Sequence, residues 1–147
     1  NLPVEDDMLD VKPCKKIQDI FVCGHKYVNL TNKPIQLPTL MKMPLIFLEK
    51  KANSRNYVEA FFKENGYDLS PEFELGSHDL LLQFAKINLG IACVTKEFAH
   101  QEISRGELFE IPLATPIPSR HIGIVTLKTV PISHAAKKFI KLIDSLA

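Results

Sequence analysis

From residue 44 onward the chain alternates short, almost wholly apolar runs with stretches whose apolar residues recur at helical spacing. Few architectures accommodate that rhythm. Pro44-Leu45-Ile46-Phe47-Leu48 is a compact apolar run bounded by proline and charge, as a buried strand requires. Over residues 54–65, Tyr57, Val58, Phe61 and Phe62 fall one turn apart in two pairs and predict an amphipathic helix ended by Asn65-Gly66. Phe73-Glu74-Leu75 is a short strand, and Gly76-Ser77 opens a helix with Asp79 in its first turn. That helix carries Leu80, Leu81, Phe84, Ala85 and Ile87, is apolar over much of its circumference, and stops at Asn88-Leu89-Gly90. Ile91-Ala92-Cys93-Val94 has no polar side chain and suits the middle of a parallel sheet. Thr95 then caps a helix running to about Arg105 and closed by Gly106, and Leu108–Leu113 returns as a strand. After a loop at Thr115-Pro116-Ile117-Pro118-Ser119, residues 121–127 form a strand and Pro131-Ile132-Ser133 caps a last helix. In that helix Phe139, Ile140, Leu142 and Ile143 are expected inward and Lys137, Lys138 and Lys141 outward. The alternation predicts an α/β fold with a largely parallel sheet.

The opening residues are less regular. Leu9 and Val11 alternate with Asp10 and Lys12, and Ile20-Phe21-Val22-Cys23 reads as a strand. Asn32-Lys33-Pro34 to Leu37-Pro38-Thr39-Leu40 is punctuated by proline, with at most a short helical turn. Asn1-Leu2-Pro3-Val4 looks like the end of a strand whose start is absent, so a fragment is expected.

Composition narrows the function classes. At 147 residues, 46% hydrophobic and net charge +1, the chain can bury a core and is not of disordered type. The near balance of 18 basic and 17 acidic residues leaves no electrostatic footprint for nucleic acid. No apolar run reaches the length of a membrane span, and no signal-peptide pattern opens the chain. The three cysteines, Cys14, Cys23 and Cys93, are widely spaced and form no C-x-x-C pair, which points away from zinc or a disulfide framework and towards a reducing, cytoplasmic setting. No metal or cofactor is expected. Gly76-Ser77-His78-Asp79 holds Ser, His and Asp, but neighbours on one helical turn cannot assemble nucleophile, base and orienter. There is no G-x-G-x-x-G, P-loop or His-x-x-x-His, so no catalytic residue is expected and an enzyme is not the reading.

In open α/β sheets, ligands bind beyond the carboxyl ends of parallel strands, where helix N-termini point. Ser54-Arg55 after the 45–48 strand and Gly76-Ser77-His78 after the 73–75 strand occupy such places. Each offers backbone N–H groups, a hydroxyl and a partial positive charge that favour a carboxylate or other oxyanion. Arg55 could add a bidentate contact, or be a solvated first-turn residue. Ser54 and Ser77 could instead be simple caps. Thr95 also follows a strand end and could cap its helix, reach the ligand, or both, and Asn1 and Leu2 end a strand that could line the same cleft.

In order and spacing the chain resembles the effector-binding domain of LysR-type transcriptional regulators. The resemblance is carried by Asn1 to Asp7, Leu9 to Pro13, Asp19 to Val22, Leu45 to Arg55, Glu74 to Ser77, Asn88 to Ala92, Ser104 to Leu108, and Pro131 to Ala136. It implies a fold like that of type 2 periplasmic binding proteins, in which two Rossmann-like subdomains are joined by two crossover strands around a small-molecule cleft. By that likeness residues 1–22 are a remnant of the first, incomplete subdomain with one crossover strand. Residues 23–120 are the second subdomain, and 121–147 the return crossover and C-terminal helix. The family's winged helix-turn-helix and the opening strand-helix-strand of the first subdomain are missing from the sequence, so DNA is expected to be bound only through an N-terminal domain outside it. The family assembles as dimers or tetramers, and the 77–89 helix is expected either to supply part of that contact or simply to be buried in the core. A secreted solute-binding protein of a transport system is the rival reading.

Overall fold

The computed structural model describes residues 2, 4 and 6–146, the last by its backbone alone. They form two compact units: one is Gln18–Pro118, and the other is made of the two chain ends, up to Ile17 and from Ser119.

The larger unit is built on a five-stranded sheet in the order β4-β3-β5-β2-β6. Strands β3 (Leu45–Leu48), β4 (Phe73–Leu75) and β5 (Ile91–Thr95) run parallel, β3 pairing with both others. Strand β2 (Asp19–Cys23) is antiparallel to β5 on one side and to β6 (Phe109–Ile111) on the other. The sheet is therefore mixed, not largely parallel. Every residue of β2, β3 and β5 is buried, and an all-apolar run reports burial on both faces, not strand direction.

The two-residue period of the strands divides the core in two. Phe21, Cys23, Leu45, Phe47, Ile91, Cys93 and Ile111 face helices α1 (Leu37–Leu40) and α2 (Asn53–Glu64), which contribute Leu37, Leu40, Val58, Phe61 and Phe62. Ile20, Val22, Ile46, Leu48, Ala92 and Val94 face α3 (His78–Lys86) and α4 (Lys96–Ser104), which contribute Leu81, Leu82, Ala85 and Ala99. Phe21 stands edge-on to both Phe47 and Phe62, with ring centres 5.8 and 6.1 Å apart. Burying one such aromatic ring stabilises the fold by about 2–3 kcal/mol.

The Asn88-Leu89-Gly90 stop between α3 and β5 has a direct steric cause. Asn88 adopts φ +63°, a left-handed conformation that Asn tolerates, and its Oδ1 accepts a hydrogen bond from the Lys26 N–H at 2.9 Å. At Gly90 a Cβ would collide with the Pro44 carbonyl oxygen and the Ile46 side chain, so only glycine lets β5 enter beside β3. A 3₁₀ helix over His25–Thr31, which carries no sharp sequence signal, follows β2.

In the smaller unit β1 (Leu9–Ile17) pairs antiparallel with β7 (Arg120–Leu127), with an irregularity between Pro13 and Lys15 where proline has no N–H to donate. Helix α5 (His134–Leu146) is started by Ser133, whose Oγ accepts from the Ala136 N–H at 3.1 Å, and is tied to β1 by Lys12–Asp144 at 2.6 Å. Phe139 and Leu142, expected inward, are 61% and 56% exposed. Their amphipathic stripe is real, but a two-stranded sheet is too narrow to cover all of it.

Candidate functional site

At one end of the larger sheet the chain leaves β3 and β5 and enters β2. Helix α2 follows β3 with Ala52 at its N-cap and no side-chain cap bond, so Ser54 lies inside the first turn and does not serve as the cap. Helix α3 follows β4, and here Ser77 is the cap: its Oγ accepts from the Leu80 N–H at 3.4 Å. Thr95 ends β5 without capping α4. Its hydroxyl instead donates to Asp19 Oδ1 at 2.9 Å, a buried bond between the end of β5 and the start of β2.

Arg55 is not a solvated first-turn residue. Its side chain is wholly buried, with the guanidinium over the Phe47 ring at 4.9 Å. Nε donates to Glu59 Oε2 at 3.2 Å, one turn along α2, and Nη1 donates to the Leu48 carbonyl at 3.3 Å. Nη1 also lies 3.7 Å from Glu74 Oε1 on β4. The arginine therefore locks α2 to β3 and β4, and two of its nitrogens are already engaged before any ligand arrives. Nη2 is buried without a hydrogen-bond partner.

Ser54, Arg55 and His78 line one small cavity together with Asp19, Phe47, Leu48, Val58 and Cys93, and its interior offers about 10 Å³ to the centre of a water-sized atom. The His78 ring lies 4.7 Å from that of Phe98. Gly76 and Ser77 are exposed at the entrance to α3 and do not line the cavity, and Thr95 reaches it through Asp19. Leu2 lies in the smaller unit, its N–H donating to the His121 carbonyl at 2.8 Å, and Asn1 is outside the described residues. Asp19 was not among the residues singled out from the sequence. The available signal was an acidic residue directly before an apolar strand, with Thr95 ending the neighbouring one.

A wider hollow of about 180 Å³ runs along β2 and β6 to residues 112–117, where Gln18 Nε2 donates to the Ile117 carbonyl at 3.2 Å. No cluster of metal-ligating side chains occurs among the described residues, and none of their helices is long and apolar enough to cross a membrane. Burial pushes the Cys23 thiol up to about 11, so it stays protonated as a small core residue.

A mixed α/β sheet flanked by helices, with a small cavity at strand ends and helix starts, defines an α/β fold of the kind in which ligands sit at strand ends. The family model of the LysR substrate binding domain matches residues 1–147, and the chain belongs to that family. The transcriptional activator CmpR of Synechocystis sp. is 26% identical over 121 residues, covering 82% of this chain and 40% of that protein. The uncharacterized transcriptional regulator YeiE of Escherichia coli is 22% identical over 115 residues, 78% of this chain and 39% of that protein. The chain thus spans about 40% of the length of these curated relatives. Among solved structures, the regulatory domain of Synechocystis CcmR, in complex with 2-PG, superposes with a TM-score of 0.85 at 19% identity, covering 99% of this chain and 70% of that one. The effector binding domain of QuiR, in complex with shikimate, gives 0.78 at 18% identity, covering 98% and 68%. These likenesses establish the type 2 periplasmic-binding-protein-like fold, and the curated relatives are regulators, not transport proteins.

Proposed function

We propose that this chain is the ligand-sensing domain of a LysR-type transcriptional regulator. It binds a small effector and passes that occupancy to a winged helix-turn-helix elsewhere in the full protein. The observation that carries the reading is the Arg55 cavity, a small and mostly apolar pocket with Asp19, Arg55 and His78 in its wall, placed where α2 and α3 begin. First-turn N–H groups of the two helices, beside Ser54 and at Gly76-Ser77-His78, present donors and partial positive charge to a carboxylate or other oxyanion of the effector. Regulators of similar fold whose structures hold 2-PG and shikimate support a small-molecule effector. The effector acts by differential affinity for two subunit arrangements, so the protein works as a homodimer or tetramer in the cytoplasm, as a binding protein and not as an enzyme.

The coding sequence upstream of Asn1 tests this directly. A helix-turn-helix pattern, a long linker helix and a strand-helix-strand unit are expected there. A basic start followed by an apolar h-region and a small-residue cleavage site would overturn the reading in favour of a secreted solute-binding protein.

A further inference from the structure

The two helix starts in the proposed site differ in whether their own donors are already used. Helix α3 is closed. The Ser77 Oγ accepts from the Leu80 N–H, and Asp79 adds a carboxylate to the first turn. That carboxylate already offsets the partial positive charge of the helix end and repels a second anion. Helix α2 is open. Ala52 at its N-cap has no side-chain acceptor to offer, no acidic residue stands in the first turn, and the first intrahelical bond runs from the Asn56 N–H to the Ala52 carbonyl at 3.1 Å. The N–H groups of Asn53, Ser54 and Arg55 are therefore left for an acceptor from outside the helix.

The side chain buried behind this helix end points the same way. Arg55 is 1% exposed, and its Nε and Nη1 are held by Glu59, the Leu48 carbonyl and Glu74, which also balance much of its charge. Nη2 has no hydrogen-bond partner. A buried guanidinium N–H left unsatisfied is unfavourable, so an acceptor atom belongs beside it. Arg55 and Ser54 line the same cavity, whose interior has room for one atom of about the size of a water oxygen. Asp19 and His78 line it too. Both are engaged in contacts of their own, those with Thr95 and Phe98 among them, and neither satisfies Nη2.

Resting on the effector site proposed above and narrowing it, we infer that the oxyanion of the effector is held at the start of α2 and not at that of α3. One of its oxygens enters the cavity beside Ser54 and the Arg55 guanidinium, and the others lie over the amides of Asn53, Ser54 and Arg55. The group is a carboxylate or a larger oxyanion with a terminal oxygen, and the part of the ligand that meets α3 is uncharged.

Titration of the whole chain with formate at constant ionic strength, followed by ¹H–¹⁵N NMR, reads both helix starts at once. Saturable shifts with one dissociation constant are expected at the Ser54 and Arg55 amides and at the Arg55 Nε–H. The His78 and Asp79 amides should show no saturation. Asn53 is exposed, so Asn53→Asp places a carboxylate in the first turn of α2 without disturbing the core, and should weaken formate at the α2 signals about fivefold. Ser54→Asp should act in the same direction. Asp79→Asn removes the first-turn carboxylate of α3 and should leave formate at the α2 signals unchanged within about twofold. Saturation at the His78 and Asp79 amides as tight as at α2, or undiminished formate affinity in both Asn53→Asp and Ser54→Asp, overturns the α2 seat and leaves the effector site standing. Saturation at the Ser54 amide with the Arg55 Nε–H unmoved overturns the entry of an oxygen into the cavity. No saturation at either helix start overturns the seat and the oxyanion-binding site together.

Discussion

Arg55 and Thr95 both stand at the start of a helix in the sequence, yet neither behaves as its position suggests. Arg55 is buried because β4 brings Glu74 alongside and Phe47 offers its ring face, contacts from 8 and 19 residues away that no local pattern displays. Removing the side chain takes away a buried hydrogen bond, the ring contact and packing volume together, so Arg55→Ala should lose about 3 kcal/mol by urea denaturation. Arg55→Lys keeps the charge but not the planar fork, and should recover less than half of that loss. A ligand-affinity measurement on Arg55→Ala would therefore mix binding with folding. Thr95→Val preserves shape and deletes the hydroxyl that donates to Asp19, and about 1.5–3 kcal/mol is expected to be lost in the same measurement. That Ser54 and His78 would lie at the same end of the sheet, where they line one cavity, was legible because both follow strand ends. That Asp19 completes it was not, because it required knowing that β2 runs antiparallel beside β5.

Helix α3 shows how one element carries two faces. Leu81, Leu82 and Ala85 are buried against the sheet, while Leu80 and Ile87 are 46% and 63% exposed. If a dimer forms through this helix, Ile87→Glu should yield a folded monomer in sedimentation, whereas Leu81→Glu should unfold the chain because Leu81 is fully buried. On its last turn Lys86 bridges to Glu107 at 2.7 Å and to Glu102 at 3.5 Å, joining α3 to α4 and the loop after it. The hydrogen bond from Lys86, with the attraction of its charge, holds the Glu107 carboxyl below its ordinary value of 4.5, and the bond to Glu107 holds Lys86 above 10.5. The Glu107 contribution is therefore fully present above its ordinary value and is lost as pH falls through the lowered one. That of Lys86 is fully present below 10.5 and is lost as pH rises through the raised value. Glu107→Gln should accordingly melt slightly below the parent at pH 7. The difference should close in strong acid and shrink in high salt, since Glu107 is solvent-exposed.

The two units differ in how much core each possesses. The 18–118 unit holds both buried clusters, while the unit made of the chain ends rests on one two-stranded ribbon and a helix whose Phe139 and Leu142 face solvent. Two-stranded ribbons are marginal in water. Amide exchange in β1, β7 and α5 should therefore be at least tenfold faster than in β2, β3 and β5, and equal protection in both sets would show that the units open together.

Strand and helix positions were readable throughout the larger unit because apolar spacing reports local periodicity. Helix α2 falls within one residue of expectation, and the Asn88–Gly90 stop is written in residues whose backbone demands are specific. The sequence by itself thus determined the α/β class, the elements that could present a ligand, and the family. The tertiary structure decided the direction of β2, the burial of Arg55, the use of Thr95 as a tie to Asp19, and the exposure of Phe139 and Leu142. The division has one physical reason. Periodicity is set by neighbours within a turn or a pleat, whereas strand direction, charge compensation and the cover over an apolar face depend on residues brought close only when the chain has packed.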